Sequence, residues 1–202
     1  MSKTKHRYFI LHKPYNMVSQ FISPDKVGLL GDIDFDFPDG THAIGRLDNH
    51  SEGLLILTTN KKVTKLLFES KIPHQRTYLV QVKNEVTEET IVQLKKGVSI
   101  RIKGGIDYIT SPCEASIVEK PSNIADNETE IKKHHPHTWL TITVTEGKFH
   151  QIRKMVAAVK HRCNRLIRLS IEDLSLDNLQ PGCVKEMEEE DFFNKLHIDH
   201  WK

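Results

Sequence analysis

The stretch Gly45-Arg46-Leu47-Asp48-Asn49-His50-Ser51-Glu52-Gly53-Leu54-Leu55-Ile56-Leu57-Thr58-Thr59-Asn60 places a carboxylate on a polar loop that runs straight into an apolar strand. Leu54 to Thr58 is a nearly continuous apolar run, short enough to be a strand buried on both faces. Gly45 and Gly53 bracket the loop, and glycine tolerates the positive φ that a tight turn over a strand end demands. Asp48 is then rigidly presented. Asp and Asn are also ordinary turn formers, and the loop alone does not separate that reading from a functional one.

Around this stretch the chain alternates between strand and helix patterns. Arg7 to His12 reads as a strand, stopped by Lys13-Pro14 because proline lacks the donor a ladder needs. Asn16 is expected at positive φ, and Ser23 to Asp39, rich in Asp, Gly and Pro, reads as a loop with one short helix. Val63, Leu66 and Leu67 predict a short amphipathic helix over Lys61 to Glu69. Thr77 to Lys83 alternates as a strand, with Tyr78, Val80 and Val82 on one side. Thr87 is an N-cap with Glu88 and Glu89 in the first turn, and Gly97 closes that helix.

Glu114 to Lys120 predicts a further strand, and Pro121 to His137 reads as a long, mobile insertion. Leu140, Ile142 and Val144 alternate with Thr141, Thr143 and Thr145, the pattern of a half-solvated antiparallel strand. In Phe149 to Val159, residues Ile152, Met155, Val156 and Val159 fall on one face of a 3.6-residue period. A strand over Arg165 to Ile171, a turn at Asp177 to Gly182 and a helix in the tail from Glu188 to Leu196 complete the reading. The class is α+β, a mixed and mainly antiparallel sheet flanked by helices.

At 202 residues and 38% hydrophobic, the chain suffices for one good core, which points to a single domain over 1-202. Within it we expect a core of about 7-183, a small N-terminal lobe at 1-45 packed on it and a C-terminal tail at 184-202. No run approaches the roughly 18 apolar residues that a membrane span needs, and no apolar signal core follows the charged start, so a cytoplasmic protein is expected. Cys113, Cys163 and Cys183 are widely spaced and read as reduced structural thiols. A net charge of only +2 does not announce a nucleic-acid binder. From Lys148 to Arg168, however, Lys148, Arg153, Lys154, Lys160, Arg162, Arg165 and Arg168 occur with no acidic residue between them, a patch able to displace counterions from a phosphate backbone.

Gly45-Arg46-Leu47-Asp48, then Ser51-x-Gly53-Leu54-Leu55, then Leu57-Thr58-x-Asn60 resembles the catalytic motif of the pseudouridine synthases of the RsuA family. Glu146-Gly147-Lys148-Phe149-His150-Gln151-Ile152-Arg153, Arg76-Thr77-Tyr78 and Lys13-Pro14-Tyr15 with Ser19-Gln20 are similar to other motifs of that family, and the likeness spans Tyr8 to about Gly182. The resemblance implies the pseudouridine synthase catalytic fold with a central active-site cleft and Asp48 as the nucleophile. It further implies that Arg46, Tyr78, Arg153, Lys148 and Lys13 hold the substrate, with Arg153 against the Asp48 carboxylate, Tyr78 against the target base and Arg46 on the opened RNA.

The implied chemistry breaks the N-glycosidic bond of uridine, rotates the uracil and joins its C5 to the ribose. It needs no cofactor and no metal, and the attack falls either on uracil C6 or on ribose C1′. The target has to leave its stack before a carboxylate can reach it. Glu172 and Asn16 stand where the family usually has glycine, and Lys61-Lys62 replaces a turn pair. The strand beginning near Arg7 leaves no room for a separate N-terminal RNA-binding domain, a layout that resembles the E-type enzymes acting on large-subunit ribosomal RNA. The expected partner is ribosomal RNA or a ribosomal assembly intermediate, with no membrane and no small-molecule cofactor, and the protein is expected to be a monomer.

Two other readings compete with this one: a non-catalytic RNA-binding or assembly factor of the same fold, and a synthase acting on tRNA. A metal site on His134, His135 and His137 with Cys113 or Cys163 is disfavoured, because paired cysteines and carboxylate-backed spacing are both missing.

Overall fold

The structure is a computed structural model and describes residues 5–68 and 72–201. In chain order the elements are β1 (Tyr8–Lys13), β2 (His42–Ile44), β3 (Glu52–Thr58), α1 (Lys62–Phe68), β4 (Arg76–Lys83), α2 (Glu88–Lys96), β5 (Ser99–Arg101), β6 (Asp107–Ile109), β7 (Glu114–Val118), β8 (His137–Val144), α3 (Gln151–Ala158), β9 (Cys163–Ile171), β10 (Leu174–Ser175), β11 (Val184–Met187) and α4 (Glu189–Lys195). They fall into two compact units, the first running to His74 and resuming at Leu169, the second spanning Gln75 to Arg168. The division falls inside β9.

In the first unit β1 pairs antiparallel with β3, Tyr8 opposite Thr58 and Lys13 opposite Gly53, and with β11 on its other edge. Every residue of β1 and β3 is buried, as a strand covered on both faces requires. The loop between Ser23 and Asp39 contains one short 3₁₀ turn at Leu30–Asp32, as predicted. Its anchors are aromatic: Phe35 and Phe37 lie edge-on to Phe9 with centroids 5.5 and 5.9 Å away, and Phe21 meets Phe37 at 5.6 Å. Such pairs fix a segment that has no ladder of its own.

The C-terminal stretch read as a tail is part of this core. Phe192, Phe193 and Leu196 of α4 and its C-cap are fully buried, with Phe192 4.6 Å from the Tyr8 ring. The Tyr8 hydroxyl, pushed up by burial and by its bond to Glu189, also accepts from Asn60 Nδ2. Both positions where glycine is usual are left-handed, Asn16 at φ 57° and Glu172 at φ 47°. The non-glycine at 172 is held by side-chain contacts, its carboxylate lying 3.4 Å from His74 and 3.5 Å from His197. Helix α1 follows the expected span, whose last residue, Glu69, lies outside the described residues.

The second unit is built on β8, which pairs antiparallel with β4 and with β7. Leu140, Ile142 and Val144 are buried and the intervening threonines are not, so the predicted alternation is realised. Ile152, Met155 and Val156 of α3 and its C-cap Val159 join Val80, Val82, Ile91 and Leu94 in one apolar cluster. Thr87 accepts from the Thr90 N–H as N-cap of α2, and Gly97 ends it at φ 93°. Glycine is needed there, since a Cβ would lie 2.2 Å from the Thr110 carbonyl oxygen.

Three features of this unit depart from the sequence reading. The β5–β6 hairpin lies in a stretch with no clear sequence pattern. Helix α3 starts at Gln151 instead of Phe149, because His150 is left-handed at φ 55° and breaks the helical path. Residues 121–136 form no helix or strand, yet they do not hang free. Lys120 binds Asp126 and Glu130, Gln81 exchanges two hydrogen bonds with the Ile131 backbone, and Asn164 donates to the Thr129 carbonyl.

Candidate active site

Asp48 sits half-buried at the head of a loop whose backbone is pinned from below. Gly45 enters that loop at φ 72°, a left-handed conformation that favours glycine. Ser19 Oγ donates to the Leu47 carbonyl at 3.0 Å and accepts from the Leu47 N–H at 2.9 Å, mimicking a strand neighbour for the residue preceding the carboxylate. The Asp48 carbonyl accepts from the Ser51 N–H at 3.0 Å, closing the turn. Asn49 Nδ2 donates to Asn16 Oδ1, and the Tyr15 ring stacks on His50 at 5.2 Å.

Lys13 is fully buried beneath this loop. Its ammonium donates to the carbonyls of Pro14, Met17 and Asn49 at 3.0, 2.5 and 3.5 Å, an acceptor for each of its three protons. The resemblance implied that Lys13 holds substrate. In the structure it braces the loop, since a side chain with no exposed surface cannot reach a phosphate. Arg46 is exposed and donates to Gln20 Oε1 at 2.9 Å, which aims its guanidinium outward.

The other expected residues belong to the second unit. Tyr78 is half-buried on β4 opposite Ile142 and packs on the apolar cluster. Arg153, on the first turn of α3, is half-buried, with Nη1 3.6 Å from Cys163 Sγ. Burial pushes the Cys163 thiol up to about 11, with Arg153 opposing. Burial, then Glu114 and Glu146, lift Cys113 to about 11 as well, against Lys95. All three cysteines are free.

Lys148 is exposed, with its ammonium 4.6 Å over the Tyr108 ring. The segment ahead of α3 is tied down by Glu146, which accepts from Tyr108 Oη at 2.5 Å, the Ser111 N–H at 3.0 Å and Gln151 Nε2 at 2.8 Å. Sequence reasoning missed Glu146 and the full part played by Ser19. Apart from Gln151, their partners lie 28 to 38 residues away, and no local pattern marks them.

The basic run is smaller on the surface than its sequence suggested. Arg165 is 2% exposed and donates to Glu130 and to the Ala125 carbonyl, and Arg168 is 4% exposed. An acid supplied from the 121–136 segment compensates the run, although none occurs within it. Lys148, Lys160 and Arg162 remain exposed, with Lys154 partly so. Among the described residues no group of three or more His, Cys, Asp or Glu is placed to hold a metal ion, and no helix is long and apolar enough to cross a membrane. His134 and His135 are exposed with their rings 4.3 Å apart, and the His137 ring contacts the His135 carbonyl.

Residues 7–158 match the family described as RNA pseudouridylate synthase. The chain is 34% identical over 184 residues to "Ribosomal large subunit pseudouridine synthase E" of Vibrio parahaemolyticus, covering 90% of this chain and 74% of that protein. It is 33% identical over 174 residues to the protein of the same name from Xanthomonas axonopodis, covering 85% and 89%. "Ribosomal small subunit pseudouridine synthase A" of Salmonella typhimurium is 29% identical over 92% of this chain and 72% of its own length. A solved pseudouridylate synthase superposes with a TM-score of 0.76 at 25% identity, covering 97% of this chain and 76% of that one. The motif around Asp48, the antiparallel sheets and these likenesses agree: the chain belongs to the RNA pseudouridylate synthase family.

Proposed function

We propose that this protein isomerises one uridine of large-subunit ribosomal RNA to pseudouridine, with Asp48 as the nucleophile. The observation that carries the reading is the bracing of the Asp48 loop. Both backbone polar groups of Leu47 are bound by a buried serine, and a buried ammonium lies under the next turn. A carboxylate held in this way loses little freedom on reaching a transition state.

In the reaction the Asp48 carboxylate attacks the nucleotide at C6 or C1′, and the N1–C1′ bond breaks. The uracil turns, C5 bonds to C1′, the bond to Asp48 breaks and frees the carboxylate, and the proton leaves C5 while N1 regains one, so the product is an isomer. Arg153 is the cation that the family resemblance assigns to the Asp48 carboxylate. Tyr78 offers an apolar body with a polar tip to the base. Arg46 occupies or holds the opened RNA, and Lys148, Lys154 and Arg162 contact phosphates, which position without reading sequence. The names of the relatives favour large-subunit ribosomal RNA as substrate, met free or in an assembly intermediate on this reading. On this reading the protein works as a monomer in the cytoplasm, without a cofactor.

Pseudouridines are mapped in total RNA from cells lacking the chain and from the same cells given wild type or Asp48→Asn. One large-subunit site should vanish and return only with wild type, the variant losing at least about 10³-fold in rate. Restoration by Asp48→Asn would sink the nucleophile assignment. A missing site in tRNA or in the small subunit would replace the substrate.

A further inference from the structure

Phe149 lies inside a helix-like sequence pattern, yet its side chain is 68% exposed. Single exposed apolar residues are ordinary on protein surfaces. The scaffold beneath this one is not. His150 holds a left-handed φ of 55°, which turns the chain just before α3 and keeps Phe149 off the apolar stripe. The turn is closed in both directions, Gln151 Oε1 accepting from the Lys148 N–H at 2.8 Å and the Gln151 N–H donating to the Lys148 carbonyl at 3.0 Å. Glu146 then ties Gln151 to the β6 side through Tyr108 and Ser111.

On this rigid base the His150 ring backs Phe149 at 3.8 Å and 20°, a parallel stack. The Lys154 ammonium lies 5.3 Å from the Phe149 centroid, and the residue before Phe149, Lys148, is exposed with its ammonium 4.6 Å over the Tyr108 ring. Glu146, three residues before Phe149, is held by three donors, Tyr108, the Ser111 N–H and Gln151. An exposed planar ring with one ammonium beside it and a second exposed lysine next in sequence matches an unpaired base joined to its phosphates, since every base offers a π face and aromatic stacking tolerates any sequence. The fixed ring also lowers the ordering cost of binding.

We propose that Phe149 is a stacking platform for an unpaired base of the substrate RNA, with Lys148 and Lys154 holding the adjoining phosphates. The inference rests on the reading of the protein as an RNA-modifying enzyme. Phe149 is a positioning residue for the substrate and takes no part in the bond changes.

The test measures binding and KM on a ribosomal RNA fragment spanning the mapped uridine, for wild type, Phe149→Ala, Phe149→Leu and Phe149→Trp. Alanine and leucine should both weaken binding by roughly five- to a hundredfold, with the loss falling mainly on KM, and tryptophan should restore it. Lys148→Gln and Lys154→Gln should each lower the salt slope of binding by about one. Thermal midpoints should agree across the Phe149 series, which separates recognition from folding. If Phe149→Leu binds as wild type does, or if tryptophan fails to rescue, the stacking role is wrong. If wild type itself neither binds nor modifies the fragment, both this inference and the proposed function fall.

Discussion

The Asp48 loop and the turn from Glu146 to His150 both hold a polar segment rigid beside a regular element, and they do so by opposite means. Beneath Asp48 the braces are buried: Lys13, Ser19, Leu47 and Ser51 are all at most 6% exposed, and the following strand is covered on both faces. Ahead of α3 the brace is a carboxylate nearer the surface, reached by a tyrosine, a backbone N–H and a glutamine. Water can replace part of a brace near the surface and none of a buried one. The first loop is therefore built to fix one carboxylate with little tolerance, and the second leaves Lys148 and Phe149 exposed on a turn that water can partly reach.

That contrast is broken most severely at Lys13. Lys13→Met keeps the length of the stem and strands three carbonyls without their donor, so about 3 kcal/mol of stability should be lost, and activity with it. Denaturant unfolding of the two proteins measures it; a loss within 0.5 kcal/mol, roughly what a surface change costs, would mean the ammonium is not the brace. Ser19→Ala comes next. It leaves both polar groups of Leu47 unpaired, and about 2 kcal/mol is expected, with a fall in kcat larger than any change in KM because the loss is of Asp48 placement.

The smallest effect should come from Glu146→Gln, under about 1 kcal/mol at neutral pH. Its signature is in the pH dependence. Burial acts against ionisation of Glu146, but the donors Tyr108, Ser111 N–H and Gln151, with Lys148 nearby, outweigh it and hold the carboxyl below the usual range. A depressed carboxylate stabilises the folded state above its unfolded pKa, and that stability is lost as pH falls through the lower folded value. Thermal midpoints of wild type should thus fall on the acid side of about pH 4.5, near the ordinary glutamate value, and Glu146→Gln should flatten that part of the slope. The same slope in both proteins would show that the turn is held by something else.

Much of the fold was legible because burial is written along each element at its own period. The stripe on α3, the alternation in β8, the Thr87 cap and the apolar run of β3 are all local statements about one face or one end of one element. The β5–β6 hairpin was not legible, since its strands are three residues each and too short to show a period. The exit of Phe149 from its helix turned on a single left-handed residue, His150, which is not a glycine and carries no mark in sequence.

By itself, the sequence determined the class of the fold, the family motif around Asp48 and the residues that resemble its catalytic set. Tertiary structure alone decided what those residues rest on. Lys13 became a buried brace, Arg165 was paired by Glu130, and Ser19 took both polar groups of a residue 28 positions away. The physical reason is one of range. Periodicity and capping record how a segment meets water or its own backbone. The partner of a buried polar group is chosen by the packing of distant segments, and no window of sequence contains both halves of that choice.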